Sequence, residues 1–481
     1  MSLPQLHIRR ESFRRVFQIA VLAAFAVFTV FAPSWGMGWV PTQVLSRLDP
    51  LVALTLVIAS RSLVAYGAAA LVTLLATVAL GRVWCGWVCP VGTLIDLVPG
   101  RRRTRRNPLP TWWAYGKYVT LALVFVAALL GMLWPMFLDP ITIVTRPLQE
   151  IVQPAVGVDA VGQSVGASLS RDAIGMLAVA SLLPLVVALG LNGVAKRFWC
   201  ESVCPLGGLL GAVSLLPGVR RRVDHATCIS CGKCANACPT RAIDRTAAFE
   251  SGPGECVTCL RCLDVCPTDA IRFSAFVPEG RVELSGPDRR EALGLMGATG
   301  ISIAATIALP HAHAGTEILR PPGTTEERLA QKCVRCGACY SACPTGNLRP
   351  STSLTSPSGL WTPMLDERPA HCTLNCNLCA PVCPTDALHV PTPEEAEELG
   401  LGGAARVERG LCLAWAKGDH CMVCQQVCPI SGAIYSTQEY NPAWRSTDRV
   451  RAPHVNTDLC VACGQCTLAC PARIPAITVV K

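Results

Sequence analysis

The 28 cysteines of this 481-residue chain are the residues with the clearest chemistry. A disulfide scaffold so rich in cysteine is normally a short secreted chain, whereas this chain is long and 51% hydrophobic. Metal ligation is therefore the favoured interpretation. The low charged content, 16%, also favours a membrane class over a single soluble domain.

Two cysteine runs near the middle of the chain have the spacing C-x₂-C-x₂-C-x₃-C-P of bacterial two-cluster ferredoxins. They are Cys228, Cys231, Cys234 and Cys238, and Cys256, Cys259, Cys262 and Cys266. In such runs three thiolates hold one [4Fe–4S] cube and the fourth reaches the neighbouring cube. The spacing thus predicts that Cys266 completes the first cluster and Cys238 the second. A zinc ribbon would instead show two separated C-x₂-C pairs.

Four further groups of four lie in the carboxyl-terminal third, and each ends in a cysteine that precedes proline. They are Cys333, Cys336, Cys339 and Cys343; Cys372, Cys376, Cys379 and Cys383; Cys412, Cys421, Cys424 and Cys428; and Cys460, Cys463, Cys466 and Cys470. The second and third of these groups have longer first gaps, which lengthen a loop without changing the three-plus-one arrangement. Together the six groups predict six [4Fe–4S] clusters.

The remaining cysteines, Cys85, Cys89, Cys200 and Cys204, lie in two copies of the motif W-C-x-x-V-C-P-x-G-x-L. Each copy follows a pair of apolar segments, so a pseudo-twofold axis along the membrane normal should bring the four thiols together. Three roles stay open: ligands of a seventh cluster, thiols that exchange electrons, and docking of a partner. A structural disulfide is disfavoured in a reducing compartment.

Four apolar stretches, residues 16–31, 63–80, 118–137 and 173–191, are long enough to be predicted as membrane spans. Residues 51–59 are apolar but short, which indicates an interfacial or re-entrant segment. Arginines cluster beside these segments, and the positive-inside rule places the amino terminus and the loops after the second and fourth spans in the cytoplasm. This explains the net charge of +9 without nucleic acid as a partner.

A fifth apolar stretch, residues 292–309, follows Arg289 and Arg290 and precedes Ala312-His313-Ala314. It has the form of an internal twin-arginine export signal, and an ordinary anchor helix is the alternative. Either one places the carboxyl-terminal third outside the cytoplasm.

Other cofactor motifs are missing from the sequence. There is no C-x-x-C-H for covalent haem, and no convincing G-x-G-x-x-G unit or Walker loop for nicotinamide, Rossmann-type flavin or ATP. No acid–base catalyst is assigned. The outer loop with Asp139, Arg146 and Glu150 is a candidate for contact with a quinone, and a solvated loop is the alternative.

The predicted fold is an α-helical membrane bundle, with four spans in two repeats plus a fifth apolar helix, joined to α+β ferredoxin-like domains that hold two and four [4Fe–4S] clusters. The predicted domains are a four-span membrane domain at 1–222, a cytoplasmic two-cluster ferredoxin at 223–275, a linker with the signal or anchor helix at 276–315, and a periplasmic four-cluster ferredoxin at 316–481.

On these motifs, residues 1–275 resemble the NapH type of membrane ferredoxin, and residues 288–481 resemble the MauM/NapG type of exported four-cluster ferredoxin. The resemblance implies a quinol dehydrogenase module of the bacterial inner membrane. Such a module takes electrons from the quinone pool and passes them to a periplasmic reductase, usually nitrate reductase, or to a cytochrome c acceptor. It also implies that the outer cysteine groups pair first with fourth and second with third.

Two other functions fit the same residues. The first is a transmembrane conduit for electrons from a cytoplasmic donor. The second is a maturation or reductive-activation factor for a periplasmic metalloenzyme, in which Cys85, Cys89, Cys200 and Cys204 would matter most.

Overall fold

The computed structural model describes residues 5–31, 44, 46–62, 67–98, 111–153, 171–216, 218–252, 254–274, 320–321, 324–351, 359–365, 376, 378–388, 404–440 and 449–480, with isolated positions between 294 and 304. The predicted export signal or anchor helix at 292–309 therefore lies outside the described residues, as does Cys372.

The chain forms two compact units. The first combines Met1–Thr29, Pro41–Leu148 and Ala178–Leu309, and the second combines Val30–Val40, Gln149–Leu177 and Pro310–Lys481. The two duplicated cysteine motifs and both inner ferredoxin runs thus belong to one unit, and all four outer cysteine groups belong to the other.

Helices dominate the first unit up to residue 213. They are α1 (Gln5–Phe31), α2 (Pro50–Ser60), α3 (Gly67–Leu80), α4 (Val83–Trp87), α5 (Pro90–Leu97), α6 (Gly116–Leu129), α7 (Pro140–Pro147), α8 (Arg171–Gly190), α9 (Phe198–Ser202) and α10 (Pro205–Val213). Short 3₁₀ segments lie at Thr111–Tyr115, Trp134–Leu138 and Leu191–Gly193. The order α3-α4-α5 recurs as α8-α9-α10, which is the duplication predicted from the motifs.

Local sequence explains where several of these helices begin. The residue before the helix is Asp49 for α2 and Asp139 for α7, and in both cases proline follows and the carboxylate accepts hydrogen bonds from free amides of the first turn. Cys89 and Cys204 hold the same position before α5 and α10, again followed by proline. The C-P pair of each motif therefore turns the chain from one short helix into the next.

The third predicted span is shorter than the sequence indicates. Helix α6 ends at Leu129, well before residue 137, because Gly131 adopts a positive φ of 74° and Pro135 follows within one turn. The chain then continues as the 3₁₀ segment Trp134–Leu138. The apolar composition of residues 118–137 therefore gave no sign of the helix break that Gly131 introduces.

Among the described residues, one helical stretch, Glu11–Phe31, is long and apolar enough to cross a membrane. Pro50–Ser60, Gly67–Leu80, Trp113–Leu129 and Ser181–Gly193 are apolar helices of only 10–17 residues. This count does not support the predicted four-span bundle, which stays a prediction.

The helices of the first unit expose apolar side chains and bury polar ones. Large apolar residues are more than half exposed on α1, α3 and α8, for example Val16, Leu75 and Leu183. In the same helices Gln18 and Thr77 are almost fully buried. A water-soluble helix would show the opposite distribution, so this surface is suited to an apolar environment.

The inner ferredoxin completes the first unit. Strand β1 (Arg220–Val223) precedes the first cysteine run and pairs antiparallel with β2 (Ile271–Ser274), which follows the second run. Between them lie the short helices α11 (Lys233–Ala237) and α12 (Arg261–Asp264). The paired strands therefore close both cysteine runs into one α+β module.

The second unit contains short helices and two-stranded sheets. Its helices are α13 (Glu326–Lys332), α14 (Ala338–Ala342), α15 (Leu413–Lys417), α16 (Val423–Val427) and α17 (Gln465–Ala469). Its strands are β3 (Leu348–Pro350), β4 (Pro363–Leu365), β5 (Ala404–Val407), β6 (Ile434–Glu439), β7 (Val450–Val455) and β8 (Ile477–Val480), which pair antiparallel as β3 with β4, β5 with β8, and β6 with β7.

The loop of the second inner cysteine run packs directly on helix α4. The indole Nε1 of Trp87 donates to the carbonyl oxygen of Thr258 at 3.0 Å, and the Thr258 hydroxyl donates to the carbonyl oxygen of Leu80 at 3.0 Å. Gly86 lies so close to the Val257 backbone that a Cβ atom would overlap its carbonyl oxygen. Glycine at this position therefore permits contact between a duplicated motif and a ferredoxin loop.

Substitution of Gly86 by alanine tests this packing. Because the added methyl group would collide with backbone, we expect Gly86→Ala to destabilise the first unit by about 1–3 kcal/mol. Thermal unfolding of the purified protein, followed by circular dichroism, measures the effect. Gly67→Ala is the matched control, because a Cβ atom there meets nothing within 4 Å. Equal unfolding temperatures for the two variants would contradict the close packing.

Candidate metal centres

Cysteines from the two inner runs line a shared cavity. Cys228, Cys231 and Cys234 of the first run face Cys266 of the second. Conversely, the thiol of Cys238 lies close enough to those of Cys256, Cys259 and Cys262 to interact with them electrostatically. The structure thus brings together the two sets of four that the spacing predicts, with the fourth cysteine of each run exchanged.

The first two outer groups form a second exchanged pair. Cys333, Cys336 and Cys339 line one cavity together with Cys383, the last cysteine of the next group. Cys343, the last cysteine of the first group, packs with Cys379 against the buried pair Leu348 and Leu365 of strands β3 and β4.

The last two outer groups pair in the same way. One cavity is lined by Cys412, Cys421, Cys424 and Cys470, and another by Cys428, Cys460, Cys463 and Cys466. The pairing implied by the resemblance, first group with fourth and second with third, is therefore wrong. The physical reason lies in the strands: β5 precedes the third group and β8 follows the fourth, and their pairing closes those two groups into one module, as β1 and β2 close the inner runs.

The cysteine loops share an unusual backbone. In each run of the type C-x₂-C-x₂-C that the structure describes, the residues on either side of the second cysteine have positive φ, for example 53° at Ser230 and 70° at Gly232. The corresponding pairs are Thr258 and Leu260, Arg335 and Gly337, and Ala462 and Gly464. This conformation is energetically unfavourable for residues other than glycine. It is kept where successive backbone N–H groups form a concave site that binds an anion.

Several thiols also accept backbone hydrogen bonds. The amide of Ala387 donates to Cys383 Sγ at 3.2 Å, that of Ala405 to Cys460 Sγ at 3.2 Å, and that of Ala476 to Cys470 Sγ at 3.3 Å. Such donors stabilise sulfur in its anionic form and tune the potential of a bound cluster.

The donor sets fit iron–sulfur cubes. Burial raises the pKa of Cys256, Cys262 and Cys466 to about 12, and metal binding would deprotonate these thiols. Across the described residues, no three Cys, His, Asp or Glu side chains are close enough to hold one metal ion. A cube spreads its four thiolates further apart than a single ion does, so four-cysteine cavities of this kind suit a cluster.

The duplicated motifs form a separate site of four buried thiols. Cys85 and Cys200 lie close enough to Cys89 to raise its pKa. Cys85, Cys89 and Cys200 raise the pKa of Cys204 in the same way. Burial raises the pKa of Cys200 to about 11 and that of Cys89 and Cys204 well above the usual range. The repeat thus brings the four cysteines together, and we refer to them as the four-thiol site.

Two buried arginines accompany the four-thiol site, one from each repeat. Arg82 and Arg197 each stand three residues before the first cysteine of a motif, and both are almost completely buried. Arg197 forms two hydrogen bonds with the Asp96 carboxylate, at 3.1 and 2.8 Å, and one at 3.0 Å with the carbonyl oxygen of Cys85 in the other repeat. Although burial alone would raise the pKa of Asp96, Arg197 lowers it well below the usual range.

The second arginine obtains its counter-ion from the ferredoxin. Arg82 donates to the carbonyl oxygen of Gly254 at 2.9 Å and lies 3.7 Å from the carboxylate of Glu255, which also forms an ion pair with the buried Lys117. Glu255 directly precedes the cluster-run residue Cys256. One charge network therefore links the four-thiol site to the second inner cavity.

The network has an excess of positive charge. Arg14 and Arg197 share the Asp96 carboxylate, and Arg82 and Lys117 share the Glu255 carboxylate. The buried Glu201, next to Cys200, pairs with Arg241. The cations are therefore Arg14, Arg82, Lys117, Arg197 and Arg241, and the carboxylates are Asp96, Glu201 and Glu255. A buried excess of cations is costly unless an anionic group lies nearby. Because burial raises the pKa of Cys89, Cys200 and Cys204, the four-thiol site would supply that charge as thiolates only with a metal bound.

These charged residues were not predicted from the sequence, although one signal was present. The duplicated motif extends back by three residues, so that Arg82-Val83-Trp84-Cys85 matches Arg197-Phe198-Trp199-Cys200. An arginine at the same position in both copies could have been identified. Asp96 and Glu255 have no such correspondence.

Cavities lined by three cysteines of one run and one of the next, closed by short antiparallel strands, define an iron–sulfur protein of the multicluster ferredoxin type. Family models agree with this class. A model described as "4Fe-4S binding domain" matches residues 63–108 and 177–223. A model described as "4Fe-4S dicluster domain" matches residues 221–273. A second model with the same description matches two segments, residues 332–387 and 417–474. Of the last two segments, one contains the first and second outer groups, and the other contains the fourth group and all of the third except Cys412.

Curated relatives cover different parts of the chain. The ferredoxin-type protein NapG of Escherichia coli is 35% identical over 38% of this chain and 79% of its own length. The methylamine utilization ferredoxin-type protein MauM of Methylorubrum extorquens is 33% identical over 40% of this chain and 89% of its own length. The chain therefore belongs to the ferredoxin-type family of NapG and MauM.

The putative electron transport protein YccM of E. coli is 29% identical over 42% of this chain, and the chain spans about half of its length, 54%. Together the relatives and family models show that the chain is a [4Fe–4S] protein of electron transfer.

Paired substitutions test which outer groups exchange cysteines. We expect Cys333→Ala and Cys383→Ala together to remove about four iron atoms, as each does alone, because both residues hold one cube. Cys383→Ala with Cys412→Ala should remove about eight. Iron and acid-labile sulfide per chain, measured after anaerobic purification, decide the question. The reverse result, eight atoms lost in the first double variant and four in the second, would support pairing of the second group with the third.

Loss of the shared carboxylate tests the charge network. Glu255→Gln removes the carboxylate that forms ion pairs with both Arg82 and Lys117 and leaves Glu201 as the remaining anion that acts on Lys117, so we expect a loss of stability of about 3–5 kcal/mol. Chemical denaturation measures it. The double variant Lys117→Met/Glu255→Gln should recover part of the loss, since one unpaired cation is removed. Arg15→Gln, in an exposed pair with Glu11, is the control and should change stability by less than about 1 kcal/mol.

Proposed function

We propose that the chain is a membrane-bound quinol dehydrogenase component that passes electrons one at a time to a redox partner outside the cytoplasm. The observation that carries this proposal is the contact, within one compact unit, between Arg82 and Trp87, which flank cysteines of the four-thiol site, and the loop of the second inner cluster run. A redox centre placed against an apolar-faced helical bundle is arranged to exchange electrons with a lipid-soluble carrier.

The membrane location is supported by the surface of the first unit. Its helices expose apolar residues and bury Arg14, Arg82 and Arg197 around the four-thiol site. Charged residues inside a membrane protein face the interior of the bundle and mark functional sites. We propose the inner membrane, four spans, a cytoplasmic inner ferredoxin and a periplasmic outer one, with the domain limits predicted from the sequence.

Bound at the six sets of four cysteines, [4Fe–4S] cubes supply one-electron carriers. The protein's own residues hold them and set their surroundings: Cys238 and Cys266 tie the two inner sites together, Cys383 ties two outer sites, and Cys428 and Cys470 tie the other two. Backbone amides directed at the sulfurs of Cys383, Cys460 and Cys470 favour the reduced state of the sites that these cysteines complete.

Gln149 and Gln153, which belong to the second unit, contact residues beside the first outer cysteine group. The π-helical segment Leu148–Val152 follows α7, and within the second unit the Gln149 side chain lies beside Gly337, which follows Cys336. Gln153 donates to the carbonyl oxygen of Ser341 at 3.3 Å. Within the second unit, these two glutamines therefore pack beside the first outer cysteine group.

The four-thiol site also favours a second candidate function. Four buried thiols beside two arginines could hold a seventh cluster or act as a dithiol relay, and in either case the chain could conduct electrons from a cytoplasmic donor through the inner ferredoxin. The proposed acceptors in both routes are a periplasmic reductase, such as nitrate reductase, or a cytochrome c. A maturation factor would use the same thiols on a periplasmic metalloenzyme.

Anaerobic reduction by a quinol tests the leading proposal. We expect purified protein in liposomes to lose visible iron–sulfur absorbance and gain a low-temperature paramagnetic signal when a ubiquinol analogue is added. The preparation should contain about 24 iron atoms per chain from six cubes, and about 28 with a seventh.

Serine at Cys85, Cys89, Cys200 and Cys204 provides the comparison. If the four-thiol site carries electrons, this variant should keep the six clusters and lose most quinol-driven reduction, while dithionite still reduces it. A wild-type protein with all clusters intact that dithionite reduces and quinol does not would refute quinol oxidation.

A further inference from the structure

The first unit contains a second duplicated feature that the proposed electron route does not use. Leu48-Asp49-Pro50 and Leu138-Asp139-Pro140 are two copies of one L-D-P sequence, and they begin α2 and α7. Both aspartates are completely buried. Asp139, predicted as part of an outer loop, is therefore an interior residue and not a solvated one.

Each aspartate uses one carboxylate oxygen to cap its helix. Asp49 Oδ1 accepts from the amide of Leu51 at 2.7 Å, and Asp139 Oδ2 accepts from the amides of Ile141 and Thr142 at 3.0 and 2.9 Å. These bonds fix the carboxyl planes and direct the second oxygen of each group away from its own helix.

The second oxygens face each other. In the part of the chain that the structure describes, Asp49 Oδ2 and Asp139 Oδ1 are buried and have no N–H or O–H donor. The two carboxyl groups are close enough to hydrogen-bond to one another. Two carboxylates without a donor between them repel strongly in a buried site, whereas one proton placed between them turns the repulsion into a hydrogen bond.

Across the described residues, no cation is among the main groups that shift the pKa of either aspartate. The charged side chains around the pair are Arg47, which precedes α2, Arg146 on α7 itself, and Lys117 and Asp96 on the helices that pack most extensively against α2 and α7. Lys117 and Asp96 belong to the charge network of the four-thiol site. Arg146 lies at the other end of α7 from Asp139, about 10 Å along the helix axis.

We propose that Asp49 and Asp139 share a single proton and accept the protons released when quinol is oxidised at this domain. This inference rests on the proposed quinol oxidation. Each quinol loses two electrons, which reduce two oxidised clusters one at a time, and two protons. When the first quinol O–H bond breaks, its proton forms an O–H bond on the aspartate pair, which already holds one proton. The pair then releases one proton to water and accepts the second quinol proton in the same way.

The test uses Asp49→Asn and Asp139→Asn. Asparagine caps a helix as well as aspartate does, and its amide can donate to the remaining carboxylate, so helix and hydrogen bond are both kept while the shared proton is removed. Infrared spectroscopy should show a protonated-carboxyl band in the wild-type protein that shifts in D₂O and is lost in either variant. Iron content and dithionite reduction should be unchanged, and quinol-driven reduction should slow by about 100-fold.

Asp244→Asn is the matched control, because this exposed carboxylate also accepts from a nearby amide, that of Thr246, and shares no proton. It should leave both the band and the rate unchanged. A band that persists in both pair variants, or quinol-driven reduction that is unchanged in them, would overturn the inference. A wild-type protein that shows the band but is not reduced by quinol would instead refute the proposed quinol oxidation and leave the shared proton in place.

Discussion

Each cluster site needs four thiolates, and this chain takes three from one loop and the fourth from another. The rest of the ferredoxin structure depends on that exchange, because there is little else to stabilise it. The helices between cysteines have four or five residues, and the sheets have two strands, both too small to be stable alone. Buried clusters of side chains in the outer unit include the cysteines themselves, such as Cys333 and Cys383 around Leu329. Metal binding and folding are therefore one process in these modules.

The helical part of the first unit is organised by a repeat that is only partly symmetric. Arg82 and Arg197 occupy the same position in the two motifs, yet Arg197 is neutralised by Asp96 from the helical part and Arg82 by Glu255 from the ferredoxin. The position that corresponds to Asp96 in the second repeat is Gly211, where the Gly254 backbone packs closely. Loss of the internal carboxylate in one repeat thus makes room for the cluster-bearing loop, which brings its own.

Much of the site could be predicted from the sequence, because the spacing of cysteines within a run is a local constraint. The same holds for the exchange of Cys238 and Cys266, which lie in adjacent runs. The partners of the outer groups depend on strand pairing between β5 and β8, some 70 residues apart in the sequence, and a resemblance supplied the wrong answer. Helix α6 was predicted too long because hydropathy does not register the backbone conformation of Gly131. The charge network was not predicted, because Asp96 and Glu255 are single acidic residues whose partners are set by tertiary packing.

Glu255 has a consequence for how such chains can evolve. It stands directly before the first cysteine of the second inner run and neutralises two buried cations of the helical part. A ferredoxin transplanted from elsewhere would fit the helices only if it carried an acidic residue at that point in its sequence. Recombination between helical and ferredoxin modules is thereby restricted to a compatible subset, even though the cysteine pattern is shared widely.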